Sequence, residues 1–258
     1  FSIGRLNAVE VRQLGPQSVL LNRVIGNDPT SIFGSLTANG RVFLVNPNGV
    51  YFAPGASIDT GGLVATTMSI RDSDFMSGIY SFERSGYGEV ENAGIITIRN
   101  GGYALLAADK VTNAVTGTID AAGGQVMLAS AERVTIDTNS DGLVGFSVSG
   151  NDIRQVASVE NAGLIAADGG RIVLSAKGAR ELTGMVVNNT GVLRAQSIEE
   201  KDGVIILGAS SGATTNSGKL DTSSASGKGG TVQVLGEKVG LFDSSNIDVS
   251  GKTGGGTV

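Results

Sequence analysis

Two groups of clustered carboxylates are the residues whose types and spacing could support acid–base chemistry. Asp72 and Asp74 form the first group, and Glu199, Glu200 and Asp202 form the second. Paired carboxylates on one face of a scaffold can act as general acid and base when a glycosidic bond is cleaved. Both groups lie in segments predicted to be loops, where charged side chains are ordinarily solvated. A polysaccharide-active enzyme is therefore the least favoured of three functional hypotheses, and we assign no catalytic residue.

A second pattern consists of oxygen ligands at alternate positions. Asp137, Asn139 and Asp141 precede Gly142, as in the first half of a calcium-binding loop. The bidentate Glu that completes an EF-hand would fall at Val148, so half of the pattern is missing. A solvated turn is the favoured interpretation, and the three residues are only a weak calcium candidate. The chain also contains no His and no Cys, which excludes a Ser-His-Asp triad and any imidazole or thiolate metal site. We assign no cofactor.

The tetrapeptide Asn46, Pro47, Asn48 and Gly49 stands between two apolar runs, residues 42–45 and 50–53. Pro47 fixes its φ at about −65° and suits the second position of a tight turn. Asn48 and Gly49 tolerate positive φ, so the turn is predicted to use one of them in that conformation. The sequence therefore predicts a strand, a tight turn and a second strand. Taken alone, the tetrapeptide indicates turn chemistry and no function.

Composition limits the fold and the partners. The chain has 258 residues, with 40 glycines, four prolines and 40% hydrophobic residues, of which few are aromatic. A core built mainly from Val, Ile, Leu and Ala favours thin, closely stacked layers. The net charge is −5 and no basic run exists, which argues against nucleic-acid binding. No apolar run approaches 18 residues, so the chain is not predicted to be inserted in a membrane.

An internal repeat begins near residue 91. Related Asn-x-Gly segments, each followed by a Gly-containing turn and an apolar run, place glycines at 94, 117, 163, 191 and 218, with separations of 23, 46, 28 and 27 residues. Because 46 is twice 23, we predict one degenerate copy at residues 134–149. The repeated Asn residues are predicted to adopt the left-handed conformation at a corner and to stack their amides as a ladder.

The repeat predicts the fold class. Units of 23–28 residues without 3.6-residue periodicity are too short for two helices, and each contains about three short strands that must stack on a neighbour. We predict an all-β, right-handed parallel β-helix of about ten coils with short extra-helical excursions. Residues 70–88 are the main excursion, interpreted as a surface loop with one helical turn from Asp72 to Met76 and a strand at residues 79–82.

The run from Leu21 to Thr67 carries a family resemblance. Its matching positions are Leu21-Asn22-Arg23-Val24, Ile32-Phe33-Gly34, Ala38-Asn39-Gly40, the 46–49 tetrapeptide and Gly62-Leu63-Val64-Ala65. This run resembles the secretion domain, or haemagglutination activity domain, of two-partner-secretion exoproteins, above all the high-molecular-weight adhesins. The Gly-rich last residues resemble the family's border, so the resemblance covers the whole chain. It implies one domain over residues 1–258 that lacks the family's N-terminal cap, with motif-bearing first coils at 1–90 and regular coils at 91–258.

The resemblance also implies a function. Such a domain is the secretion and folding-nucleation module of a large secreted adhesin-type exoprotein. The POTRA domains of an outer-membrane β-barrel transporter recognise it, and the protein reaches the surface of a Gram-negative bacterium, or the medium, through the periplasm. The 46–49 turn would act either by contacting the transporter or by nucleating the first coils, with Asn22, Arg23, Asn39 and Gly40 as a supporting motif. The alternative is a rod that itself binds host-cell or matrix glycans or proteins.

Overall fold

The computed structural model describes residues 1–99, 101–138, 144–149, 158–177, 185–198, 201–210 and 212–258. Three parallel sheets run along its length, and the chain visits them in the same order in every coil. Within the described residues, eight coils contain a strand in each sheet and a ninth has begun. The chain is therefore a parallel β-helix, which confirms the predicted fold class, with fewer coils than the ten expected.

The strand bounds follow the three sheets. Sheet 1 contains Ala8–Val11, Ser35–Ala38, Ser57–Thr60, Ile95–Ile98, Thr118–Asp120, Leu164–Ala166, Val192–Arg194, Lys219–Asp221 and Asn246–Asp248. Sheet 2 contains Val19–Arg23, Arg41–Val45, Gly62–Thr66, Tyr103–Ala107, Gln125–Ser130, Arg171–Ala176, Val204–Ala209 and Thr231–Leu235. Sheet 3 contains Thr30–Ile32, Val50–Phe52, Glu89–Asn92, Lys110–Asn113, Ser158–Asn161, Met185–Asn189, Ala213–Asn216 and Lys238–Leu241.

Columns of aliphatic side chains fill the interior of the β-helix. One column in sheet 1 stacks a buried Leu or Ile in register from coil 2 to coil 8, namely Leu36, Ile58, Ile96, Ile119, Ile165, Leu193 and Leu220. Neighbouring strands lie about 4.8 Å apart, a distance at which aliphatic side chains of successive coils pack directly on one another. The scarcity of aromatic residues follows from this geometry, because each layer is only one strand thick.

A buried asparagine ladder runs along the corner after sheet 3. Each side-chain amide donates to the next side-chain oxygen, in the steps Asn92 to Asn113 (2.8 Å), Asn113 to Asn161 (2.7 Å), Asn161 to Asn189 (2.7 Å) and Asn189 to Asn216 (2.6 Å). The ladder is as predicted, but the left-handed conformation is wrong. In the described part of the chain, the non-glycine residues with positive φ are Leu6 and Asp243. The ladder residues instead end extended strands, so that each amide reaches the next coil.

Glycines beside the ladder allow the corner to close. A Cβ atom added at Gly163 would lie 2.2 Å from the carbonyl oxygen of Gly117 and 2.4 Å from that of Ala114. Any side chain at this corner would therefore push two successive coils apart. This close approach, and not a turn conformation, explains the regular spacing of glycine in the sequence.

A second layer covers part of the outer surface. Tyr80–Glu83, Arg133–Thr138 and Val144–Ser149 form an antiparallel sheet, preceded by the helix Asp72–Met76. It packs on the outward-facing side chains of sheet 2, where Phe43 lies against Tyr80 and Phe82 with ring centroids 5.0 and 5.7 Å apart. Burial in this layer raises the pKa of the Tyr103 phenol. Coils 2 to 5 of sheet 2 are thus buried on both faces.

Two predictions about the residues of this outer layer are wrong. Residues 70–88 were expected to be a surface loop, but they contribute a helix and a strand to a packed layer. The helix and strand themselves occur where predicted, although the N-cap is Arg71 and no side chain caps it. The copy of the coil predicted at residues 134–149 is wrong, because the described strands there, Arg133–Thr138 and Val144–Ser149, pair antiparallel outside the three sheets of the β-helix. Only one coil separates Asn113 from Asn161, since the strands that end in these two residues pair directly with each other.

We expect the far-ultraviolet circular dichroism spectrum of the purified chain to be that of a β protein. Within the described residues the helix Asp72–Met76 is a single short turn, whereas strands recur throughout. The measurement is a spectrum at neutral pH before and after thermal unfolding. A helix-dominated spectrum would contradict the β-helix.

Candidate functional site

The 46–49 turn connects sheet 2 to sheet 3 in the second coil. It follows the strand Arg41–Val45 directly and leads into Val50–Phe52. The amide of Gly49 donates to the carbonyl oxygen of Asn46 over 3.0 Å, which closes a tight turn. Gly49 has φ +118°, and Asn48 has no positive φ, so the turn places its positive φ on the glycine alone. A Cβ at Gly49 would also lie only 3.0 Å from the carbonyl oxygen of Glu89 in the next coil.

Asn46 is fully buried, and its amide links coil 2 to coil 1. Its nitrogen donates to the carbonyl oxygen of Asp28 and to the Thr30 hydroxyl, each over 3.0 Å. Its oxygen accepts from the backbone amide of Asn48 over 3.0 Å. Asn46 therefore satisfies its hydrogen-bonding groups inside the β-helix, where its side chain is out of reach of another protein.

Asn48 is exposed but also reaches coil 1. Its side-chain nitrogen donates to the carbonyl oxygen of Gly26 over 2.8 Å and to the Asn46 side-chain oxygen over 3.2 Å. Pro47 is half-buried, and its carbonyl oxygen accepts from the amide of Gly88, which belongs to the segment leading into coil 3. The turn thus contacts the coil before it and the coil after it.

Comparison with known proteins identifies the family. A family model for the TPS secretion domain, the module of two-partner secretion, matches residues 1–222. This chain belongs to the TPS secretion domain family. It is the secretion domain of a large exoprotein from a Gram-negative bacterium, and domains of this family are recognised by outer-membrane transporters. Family and fold are those of a non-enzymatic module.

Individual relatives agree with the family. Two curated proteins, both heme/hemopexin-binding proteins of Haemophilus influenzae, are 34% identical over 217 residues and 31% identical over 229 residues. Each match covers 81% of this chain but only 23% and 24% of the relative, so the chain spans about a quarter of their length. Among solved structures, the HMW1 secretion domain from Haemophilus influenzae superposes with a TM-score of 0.78 at 27% identity, covering 98% of this chain and 75% of that one.

The four residues of the supporting motif lie outside the turn of the secretion domain. Asn39 and Gly40 precede the strand Arg41–Val45, whereas Asn46 follows it, so the strand separates the two sites by about 20 Å. Asn39 exchanges two hydrogen bonds with the Gln13 backbone, at 2.7 and 2.8 Å. The amide of Gly40 donates to the Gln13 side-chain oxygen over 3.0 Å. These two residues therefore fasten the corner between sheets 1 and 2.

Asn22 and Arg23 belong to the sheet 2 strand of coil 1, Val19–Arg23. Asn22 is half-buried and pairs in register with Leu44. The Arg23 guanidinium contacts the Asp72 carboxylate over 2.6 Å and the carbonyl oxygen of Ile70 over 2.5 Å. Arg23 thus connects coil 1 to the start of the outer layer.

Three hydrogen-bonding residues were not predicted from the sequence. The Gln13 side chain also donates to the carbonyl oxygens of Ser18 and Arg41, and no local pattern distinguishes it from other surface Gln residues. Thr30 contacts Asn46 only because coils 1 and 2 stack. Asn113 could have been found, since Gly117 is one of the repeated glycines, but that glycine follows Asn113 after four residues instead of two.

The described members of the carboxylate groups and of the calcium candidate lie in different elements. Asp72 and Asp74 lie in the first turn of the short helix, and Asp72 pairs with Arg23. Asp137 lies in the strand Arg133–Thr138 of the outer layer. Four further candidate residues lie outside the described part of the chain, namely Asn139, Asp141, Glu199 and Glu200. Within the described residues, no group of three His, Cys, Asp or Glu side chains could hold a metal ion. The helix found in that part of the chain is also too short to cross a membrane.

Proposed function

We propose that this secretion domain is recognised in the periplasm, before it has folded, by the POTRA domains of a partner β-barrel transporter, and that it then nucleates the β-helix outside the cell. The observation that carries the proposal is the burial of Asn46, whose hydrogen bonds join coil 1 to coil 2. A signal residue with this environment acts through folding. On this basis the 46–49 turn is the nucleus of the first coils.

Strand edges provide a physical basis for recognition. Each strand listed for sheets 1 to 3 pairs in parallel with strands of neighbouring coils. While the chain is extended, the same N–H and C=O groups are free to add to the edge of a partner's sheet. Stacking of coils then replaces the contacts with the transporter by contacts within the chain. Export would need no nucleotide, because folding outside the cell opposes backward movement.

The supporting motif fits the same role. Asn39 and Gly40 fix Gln13 at one corner of coils 1 and 2, and Asn46 fixes Thr30 at another corner. We propose that these contacts set the register of coil 2 on coil 1, which later coils then copy. Arg23 adds a contact from coil 1 to the outer layer.

The test is export of this chain from bacteria with and without its partner transporter, and with a transporter whose POTRA domains are deleted. We expect the chain in the medium only with the intact transporter. Secretion that is independent of the transporter, or unaffected by loss of the POTRA domains, would contradict the proposal. Protein retained in the periplasm serves as the control for expression.

The curated relatives suggest a second role for the whole exoprotein, since they are named for binding heme or hemopexin. The 258 residues contain no His and no Cys, so neither can ligate haem iron here. We propose that export is the function this domain shares with those relatives. Binding of host-cell or matrix glycans by the rod is the other candidate, and a glycan array probed with the purified chain tests it.

We expect Asn48→Ile to lower the free energy of unfolding by about 0.5–1.5 kcal/mol, because it removes one exposed and one part-buried hydrogen bond without forcing a positive φ. The urea midpoint of the purified domain and the secreted yield should both decrease modestly. Asn27→Ile, at an exposed Asn in the neighbouring turn, is the matched control. Loss of export with an unchanged unfolding midpoint would mean that the transporter contacts Asn48 directly.

A further inference from the structure

Residues 84–88 cross directly over the 46–49 turn on their way from the outer layer to the strand Glu89–Asn92. The amide of Gly88 donates to the carbonyl oxygen of Pro47 over 3.2 Å. Gly86 is buried, and a Cβ there would lie 2.2 Å from the same oxygen. A Cβ at Gly88 would lie 2.4 Å from backbone atoms of Asn48 and Gly49. Two glycines thus allow one backbone segment to lie flat on another.

The covering segment is anchored in later coils. Arg84 forms an ion pair with Asp109, which is buried in the corner after sheet 2 of coil 4. Its backbone amide donates to the carbonyl oxygen of Glu132, at the same corner of coil 5, over 2.9 Å. The Arg84 guanidinium also stacks on the Tyr87 ring at 4.9 Å from its centroid. Two anchors of residues 84–88 therefore lie in parts of the chain that are about 60 to 85 residues downstream of the turn. A third lies in coil 3, where the Ser85 hydroxyl donates to the carbonyl oxygen of Thr67 over 3.1 Å.

The order of the sequence separates two events at the turn. The Asn46 side chain needs only coil 1, because its partners are Asp28 and Thr30. The Pro47 carbonyl oxygen acquires its partner only when Gly88 arrives, just ahead of the coil 3 strand Glu89–Asn92 that pairs with Val50–Phe52. Coils 4 and 5 then hold the covering segment through Arg84. Between these events the turn is formed but its outward backbone is open to a partner with a backbone N–H donor at a sheet edge.

We infer that residues 84–88 are a latch that closes over the 46–49 turn as coil 3 stacks on coil 2 and that ends the contact of the turn with the transporter. Coils 4 and 5 lock the latch through Arg84. This inference rests on the proposed function and adds its regulation. The partner that the latch displaces is a strand edge of the POTRA domains, which would donate to the Pro47 carbonyl oxygen as Gly88 does in the closed state. Release is then coupled to the stacking of coil 3 on coil 2.

The test compares binding of the folded chain and the urea-unfolded chain, diluted into the assay, to the immobilised POTRA domains of the transporter used for export. We expect the folded wild type to bind at least tenfold more weakly than the freshly diluted chain. Gly86→Ala should raise binding by the folded chain at least tenfold, because its Cβ displaces the latch from the Pro47 carbonyl oxygen. Gly208→Ala, at a glycine with open space around it, is the matched control and should bind like the wild type.

A second variant covers the case in which Gly86→Ala fails to fold. Arg84→Ala removes the anchor to Asp109 without adding atoms at the turn, and it should also raise binding and speed amide hydrogen exchange of Gly49 and Gly88. Equal binding by the folded and unfolded wild type, or no gain in either variant, would overturn the latch while leaving recognition intact. Failure of the unfolded wild type to bind would overturn the proposed recognition itself, and the latch with it.

Discussion

Asn46→Ala is expected to lower the free energy of unfolding by about 2–4 kcal/mol and to reduce export at least tenfold. The substitution leaves the buried Thr30 hydroxyl without its partner and removes two part-buried hydrogen bonds, to the Asp28 carbonyl oxygen and from the Asn48 amide. Each buried polar group that loses its hydrogen bond costs about 1–3 kcal/mol, partly offset by local rearrangement. The loss falls on the contact between coils 1 and 2, so refolding should also slow.

Urea denaturation, refolding kinetics and secreted yield together measure this effect. Asn27→Ala is a suitable control, because Asn27 is exposed and lies in the same corner of coil 1. A variant that refolds with the wild-type rate and stability but is not exported would contradict the nucleation mechanism. Asn46 would then act as a recognition signal in the unfolded chain, where its side chain is accessible.

Asn161→Leu should destabilise the domain by about 3–5 kcal/mol, since it interrupts the asparagine ladder at its centre. The side-chain nitrogen of Asn113 and the side-chain oxygen of Asn189 both lose their ladder partner. Leucine has a similar volume, so the cost comes from unsatisfied polar groups in a buried column and not from a cavity. The ladder spans coils 3 to 7, and its interruption should weaken the pairing of coil 5 with both coil 4 and coil 6.

Thermal and urea unfolding of the purified variant measure the effect. Asn188→Leu is the matched control, because Asn188 is half-buried beside the ladder in the same sheet. Its side-chain oxygen accepts a hydrogen bond from the Thr215 hydroxyl over 2.9 Å and takes no part in the ladder. We expect the control to lose less than about 1.5 kcal/mol. Equal losses in the two variants would show that the ladder contributes no more than an ordinary surface contact.

The fold could be predicted because its signals are local and repeated. Asn-x-Gly segments at intervals of 23–28 residues specify coils, and the 46–49 turn is specified by Pro and Gly. The outer layer was missed because its strands Tyr80–Glu83 and Arg133–Thr138 pair across some fifty residues, and no local pattern encodes that pairing. The insertion also lengthened the spacing between Gly117 and Gly163 to 46 residues, twice the repeat of 23, which made a single coil look like two.

A usable signal for the outer layer was nevertheless present. The sheet 2 strands Tyr103–Ala107 and Gly62–Thr66 are apolar or small at nearly every position and buried throughout. An uninterrupted run of this kind is typical of a strand that is covered on both faces. For the site, the turn was visible in the sequence, whereas its partners Thr30 and Gly86 were not, because they depend on how three coils stack.

The stacking of coils also determines the pulling force that folding can exert on the chain during export. One coil, such as the 27 residues from Gly191 to Gly218, takes up roughly 90 Å of extended chain while it lengthens the rod by only about 4.8 Å. At a typical stability of roughly 0.1 kcal/mol per residue, a coil of this size gains about 2.7 kcal/mol, which over that length corresponds to a pull on the order of 2 pN. Folding of a parallel β-helix therefore exerts a small and nearly constant force on the chain, because every further coil of similar length takes up the same amount of extended chain.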